Sequence, residues 1–423
     1  MQLREFPALG ERYWYKTLAN GLRLRVIPKP GFARCFAVFA TDYGSMDMRY
    51  RLNGEQKSSP AGVAHYLEHK MFDLPDVNVM EAFTRTGASP NAFTSYGVTA
   101  YYFDCTEAFD ENLRLLLRFV STPYFTPESV EKERGIIGQE IQMYDDSPGS
   151  RLSDNLYLAL YDHHPVRVPI LGTLESIREI TADTLYECHR AFYDPANMYL
   201  IVIGDLDAEH VADLAESVLP PGGGTVPEKD YGPPEALTPA RPRIETAMEV
   251  AMPMFAAGFK CSCDARGPKS LRESLLGAVA SEVLGGESSD LYNRLYRDGL
   301  IDASFSVGFS KLPGASMLAV SGDSEDPEAV LEAVLAEVER LGRDGLDEAR
   351  FRRLKRSALG QRLRNLDSFE NICYSMLDSC LEGAEYFDFP QVYDNLTQQD
   401  VLDFLQTNVT RQRCALSVIV PKG

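Results

Sequence analysis

Residues 61–72 read AGVAHYLEHKMF. Their apolar members fall at helical rather than alternating intervals, which predicts an amphipathic helix. On such a helix His65 and His69 stand four residues apart and share a face, and Glu68, three residues after His65, lies on the same side. The pattern H-x-x-E-H is the reverse of the H-E-x-x-H metallopeptidase signature. Each imidazole can offer one nitrogen to a zinc ion at about 2.0–2.1 Å. Ala61, Gly62, Val63, Ala64, Leu67 and Phe72 make the surroundings apolar. The two histidines and Glu68 are therefore expected in a cleft or core, where unpaired polar groups are penalised. The bland alternative is a solvated helix carrying His and Glu at this spacing by chance, a real risk for any short motif.

Two histidines leave a catalytic zinc one protein ligand short, because such sites use about three and keep a position for water. The stretch 130–141, VEKERGIIGQEI, supplies the candidate. Glu133 and Glu140 are two helical turns apart and share a face, while Ile136, Ile137 and Ile141 are expected to pack into the core. A carboxylate on a helix that packs inward needs a cation or a metal. Glu140 is the expected third ligand, and Glu133 is placed to orient a ligating histidine from behind. With zinc bound, Glu68 would serve as the base that takes a proton from water and returns it to the leaving amine.

The rest of the chain sets the frame. Its 423 residues exceed one ordinary core and predict two domains. A hydrophobic fraction of 44% and a charged fraction of 25% are those of ordinary globular protein. A net charge of −20 argues against nucleic acid or an anionic membrane as partner. No apolar run reaches the roughly 20 residues of a membrane span, and residues 1–18 show no signal-peptide pattern. The eight cysteines are dispersed and read as reduced thiols, with the cytoplasm as the expected location.

Strands are expected at 21–27, 35–40, 101–105 and 198–203, and helices at 61–72, 80–86, 107–120, 126–144 and 208–218. The sequence Asp145-Asp146-Ser147-Pro148-Gly149 is expected to stop the fourth helix. Residues 219–243 are rich in Pro and Gly without apolar period, and read as a linker. Beyond it, strands are expected at 249–259, 315–321 and 414–420, and helices at 270–284, 327–341 and 347–366. The predicted division is 1–218, a zinc-binding catalytic domain; 219–243, a linker; and 244–423, a related domain.

The site and its context resemble the pitrilysin/insulinase family of zinc peptidases, which includes the mitochondrial processing peptidases. After His65–His69 comes Gly87-Ala88-Ser89-Pro90-Asn91-Ala92-Phe93-Thr94, which resembles the family's substrate-pairing edge strand. Glu133 and Glu140 resemble its distal acidic pair. Residues 170–177, ILGTLESI, and Gly204-Asp205 resemble later family stretches. The resemblance implies an α+β fold of two related domains, each a mostly antiparallel sheet packed against helices. It implies Zn2+ as cofactor, peptide as substrate, and Asn91, Ala92 and Phe93 as residues that hold it by β-augmentation. It further implies a homodimer, or a heterodimer with a related chain, enclosing a chamber in which unfolded peptides are hydrolysed. One departure is visible. The family's Arg and following Tyr in the second domain fall near Tyr296 and Asp302 within 290–302, DLYNRLYRDGLID, with Arg294 and Arg297 out of register. That departure leaves a second reading open, a zinc-bearing subunit that binds peptide or serves maturation without catalysis. A lyase built on a single half-domain is disfavoured by the chain's length.

Overall fold

The computed structural model describes residues 1–224 and 226–422. In chain order the first elements are β1 (Gln2–Phe6), β2 (Glu11–Thr17), β3 (Arg23–Pro28), β4 (Cys35–Thr41), β5 (Arg49–Leu52), β6 (Glu55–Ser58), α1 (Val63–Met71), α2 (Val79–Arg85), β7 (Ser89–Thr94), β8 (Thr99–Cys105), α3 (Phe109–Ser121), α4 (Pro127–Asp145), α5 (Pro148–Leu160), α6 (Ala182–Phe192), β9 (Met198–Gly204), α7 (Ala208–Val218) and β10 (Glu228–Lys229). The later ones are β11 (Arg243–Met248), β12 (Met254–Lys260), α8 (Pro268–Gly285), α9 (Asp290–Arg297), β13 (Ser306–Ser310), β14 (Met317–Asp323), α10 (Pro327–Asp344), α11 (Glu348–Arg364), α12 (Phe369–Leu381), α13 (Phe389–Asn395), α14 (Gln398–Asn408) and β15 (Cys414–Pro421). No helix among the described residues is long and apolar enough to cross a membrane.

The chain forms two compact units. The first comprises residues 1–142, 168–231 and 368–381, and the second comprises 143–167, 232–367 and 382–423. The first holds a seven-stranded sheet in the order β1-β2-β3-β9-β4-β8-β7 and a small sheet β10-β5-β6. The second holds a five-stranded sheet in the order β11-β15-β12-β14-β13. The two large sheets share one topology. In each, the first of five shared strands runs parallel to the last of them, β3 with β9 and β11 with β15, and every other neighbour is antiparallel. Strand order within the shared five is 1-5-2-4-3 in both, which makes the α+β units related as expected. β7, the outermost strand of the first sheet, corresponds to β13 of the second.

Alternation along the strands gives the first sheet two apolar faces. Leu24, Val26, Ala37, Phe39, Tyr101, Phe103, Leu200 and Val202 join one core with Leu67 and Met71 of α1 and Leu113, Leu116, Leu117 and Val120 of α3. On the opposite pleat Phe36, Val38, Ile201 and Ile203 are also buried. That face is covered by α12, which packs on β4 and β9 and sets Tyr374 edge-on to Phe36, ring centroids 5.8 Å apart. The mirror case holds in the second unit, where α5 covers β15, β12 and β11. Gly258 of β12 lies so close to α5 that a Cβ there would stand 2.8 Å from a Leu160 methyl. Helices α5 and α12 follow the equivalent helices α4 and α11, and each completes the unit that the other half of the sequence begins.

Several expectations change. Residues 145–149 do not merely end a helix: Ser147 accepts from the Ser150 amide and Pro148 takes the first turn, so a new helix starts at once. Residues 249–253 are irregular, and the strand of that region is Met254–Lys260. Ile136 is 46% exposed, whereas Ile137 and Ile141 are buried. The stretch 219–243 contains β10, whose Lys229 Nζ reaches Asp42 Oδ1 at 2.5 Å and Asp47 Oδ2 at 3.0 Å. It also contains Glu235, whose Oε1 accepts from the backbone amides of Asp162, His163 and His164 at 2.8–3.0 Å.

Candidate metal centre

Gly62 starts α1 with φ 91°. A Cβ at Gly62 would lie 2.4 Å from the Leu171 carbonyl oxygen, and one at Gly172 would lie 2.6 Å from the Ala61 carbonyl oxygen. Ser176 Oγ also donates to that Ala61 oxygen, 2.9 Å away. The stretch 170–177 therefore seats the beginning of α1 by direct backbone approach, which only glycine allows at positive φ without a clash. From that fixed start, Val63, Ala64, Leu67 and Met71 turn into the core.

The second contributing helix is α4. Tyr66, fully buried on α1, donates its hydroxyl to the Val130 carbonyl near the start of α4. Val130, Ile137 and Ile141 anchor α4 in the core. Arg134 Nε and Nη2 donate to the carbonyls of Ile177 and Ile180 at 3.2 and 2.9 Å. These contacts turn Glu133 and Glu140 toward α1.

Among the described residues, His65, His69 and Glu140 form a donor group whose ligand atoms all lie within 4.8 Å of one another. Glu140 Oε2 is 3.7 Å from His65 Nε2 and 3.6 Å from His69 Nε2. Those gaps are too long for hydrogen bonds. They are close to the separation of about 3.3–3.4 Å between ligands bound at 2.0–2.1 Å around a tetrahedral ion. Two imidazole nitrogens and a carboxylate oxygen are also the donor set of one class of catalytic zinc sites. Burial, reinforced by the neighbouring His69, holds His65 well below its usual range, at about 3. His65 is thus a neutral imidazole, the form a metal requires. His69 differs: burial lowers its pKa, but Glu133, Glu68 and Glu140 more than offset this and raise it. Its Nδ1 is 2.9 Å from Glu133 Oε1, which leaves Nε2 directed at Glu140. The residues present fit a zinc ion.

Glu68 stands beside this group. Burial pushes its carboxyl upward, partly countered by a hydrogen bond from Thr94 and by His69. Thr94 Oγ1 donates to Glu68 Oε2 at 2.7 Å. The sequence reading missed this residue, and 26 positions of separation in different elements leave no periodic signal for it.

β7 carries the other expected residues. It pairs with β8 alone and ends the sheet, so its outer edge is open among the described residues. Asn91 Oδ1 accepts from the Ala92 amide at 2.8 Å. Ala92 packs against the core, and the Phe93 ring stands edge-on to Tyr374, 5.4 Å between centroids. In the second unit, Tyr296 is exposed, Asp302 Oδ1 accepts from the amide and hydroxyl of Ser304, and Arg294 meets the buried Glu337 at 3.4 Å.

Residues 55–174 match the family model described as Insulinase (Peptidase family M16), and residues 179–358 match that described as Peptidase M16 inactive domain. The uncharacterized zinc protease YmfH of Bacillus subtilis is 37% identical over 428 aligned residues, covering 99% of both chains. The zinc protease PqqE of Helicobacter pylori is 23% identical over 87% of this chain and 83% of its own. The crystal structure of a putative M16-like peptidase from Alicyclobacillus acidocaldarius superposes with a TM-score of 0.94 at 32% identity, covering 99% of this chain and all of that one.

Proposed function

The chain belongs to the M16 insulinase family of peptidases, and from that membership we propose that it is a zinc-dependent endopeptidase. It hydrolyses unfolded peptides within a chamber closed by a second chain, either identical or a relative lacking the histidine motif. The observation that carries the reading is the convergence of His65, His69 and Glu140, with Glu68 beside them. His65 Nε2, His69 Nε2 and a Glu140 oxygen would hold the ion, and Glu133 would fix the His69 ring through Nδ1. Zinc, when bound there, lowers the pKa of water toward about 7 and polarises the scissile carbonyl. Glu68 accepts the proton of the attacking water and delivers it to the leaving nitrogen as the peptide C–N bond breaks. The open edge of β7, at Asn91, Ala92 and Phe93, would pair with the backbone of an extended peptide. Backbone pairing suits substrates of varied sequence and excludes folded ones.

A second reading is supported by the second unit. Residues 290–302 place no Tyr seven residues after an Arg, Asp302 is held by Ser304, and Arg294 meets Glu337. On that reading the chain binds zinc and peptide without turnover.

Purified protein should contain about one zinc per chain by elemental analysis and cleave a quenched fluorescent peptide library. Glu68→Gln should retain the metal and lose about 10²–10⁴-fold in turnover, the usual worth of a general base. His65→Ala, His69→Ala and Glu140→Ala should each lose zinc. Bound zinc without cleavage, with or without a partner chain, would select the second reading. Full zinc occupancy in Glu140→Ala would remove Glu140 from the ligand set.

A further inference from the structure

We infer that Thr94 is a positioning residue for Glu68: its hydroxyl holds one carboxylate oxygen and so sets the direction of the other, and it ties that orientation to the strand that would receive the peptide. The inference rests on Glu68 being the base, and it concerns how that base is held.

Thr94 and Thr99 face each other across the β7–β8 pair, with hydroxyl oxygens 3.5 Å apart. Thr99 is fully buried and donates its one proton to the Tyr43 carbonyl at 2.9 Å. It has none left for Thr94. A hydroxyl has a single donor hydrogen, and that of Thr94 goes to Glu68 Oε2 at 2.7 Å. Oε2 is therefore held as an acceptor. With Oε2 so held, the direction in which Oε1 points is set as well.

Placement gives the contact its second property. Thr94 is the last residue of β7, two positions beyond Ala92 on the same pleat, and Ala92 packs into the core on the face that carries α1. The strand whose open edge would pair with substrate thus ends in the side chain that orients the base. A shift of that strand would move the Oε2 anchor with it.

Thr94→Val keeps the shape and strand preference but removes the donor, and Thr94→Ser keeps the donor. Thr94→Ala serves if the valine variant folds poorly by melting temperature. With zinc content unchanged, Thr94→Val should lower kcat about ten- to a hundredfold and leave KM within about threefold, because the loss is one of orientation. Thr94→Ser should recover most of the rate. Crystal structures provide a readout that needs no activity: Glu68 should swing from its position in Thr94→Val and keep it in Thr94→Ser. An unmoved Glu68 in Thr94→Val, or a raised KM with kcat intact, would overturn the inference. A wild-type protein that cleaves nothing would instead count against the peptidase reading, and the crystallographic comparison would still decide the role of Thr94.

Discussion

Glu133 Oε1 and His69 Nδ1 lie 2.9 Å apart, so the ring nitrogen not aimed at Glu140 is already spoken for. Such outer partners set tautomer and ring orientation, and their loss typically weakens metal affinity about 10–100-fold. Glu133→Ala should show a drop of that size in a zinc competition titration with a chromophoric chelator. An unchanged affinity would mean that the pair does not orient the ring.

Tyr66 links α1 to α4 through the Val130 carbonyl. Tyr66→Phe removes that link and nothing else of comparable size. The expected destabilisation is about 1 kcal/mol, the net worth of a buried neutral hydrogen bond, read from the urea midpoint at constant m-value. Zinc affinity should fall with it, since the two contributing helices lose a shared tether.

Gly62 and Gly31 separate two costs of replacing glycine. Both have positive φ, 91° and 82°, but a Cβ at Gly31 meets nothing within 4 Å, whereas at Gly62 it meets the Leu171 carbonyl at 2.4 Å. Gly31→Ala should destabilise by about 1 kcal/mol, the price of the backbone conformation alone. Gly62→Ala should lose clearly more and also reduce zinc occupancy, because α1 must shift. Equal melting temperatures for the two variants would contradict the close approach.

Burial pushes the Glu235 carboxyl upward, but the amides of His163, His164 and Asp162, together with Lys260, outweigh it and hold it at about 2, below the ordinary 4.5. A depressed folded-state value contributes stability that is present above the unfolded value and is lost as pH falls. The contribution should be complete above pH 5 and disappear between about 4.5 and 2. Glu235→Gln should flatten the acid limb of stability over that window. An unaltered slope in equilibrium unfolding would show that other carboxylates dominate it.

The candidate site was legible where its parts are local. His65, Glu68 and His69 sit within five residues, and Glu133 and Glu140 differ by two turns, so helical geometry alone aligns them. Ile136 was not legible. It lies one turn before Glu140 and therefore shares its open stripe, while Val130, Ile137 and Ile141 form the buried one. An isoleucine does not announce which stripe it occupies. Helix α5 was missed because Pro148-Gly149 reads equally as a stop and as a first turn, and Ser147 as its cap decides only in three dimensions. The placing of α5 and α12 on each other's sheets is a tertiary choice with no local code. The contact of Thr94 with Glu68 depends likewise on which strand ends beside which helix.

The borrowed helix on the first sheet also bears on how the protein is made. A ribosome delivers β4 and β9 long before Phe369–Leu381. Until then Phe36, Val38, Ile201 and Ile203 lack their cover, and burial of each such side chain is worth about 1.5–3 kcal/mol. The half that bears the histidines thus lacks that cover until most of its sibling has been made. A nascent chain halted before that helix would present the same sticky back to chaperones, or to the next polypeptide on the polysome.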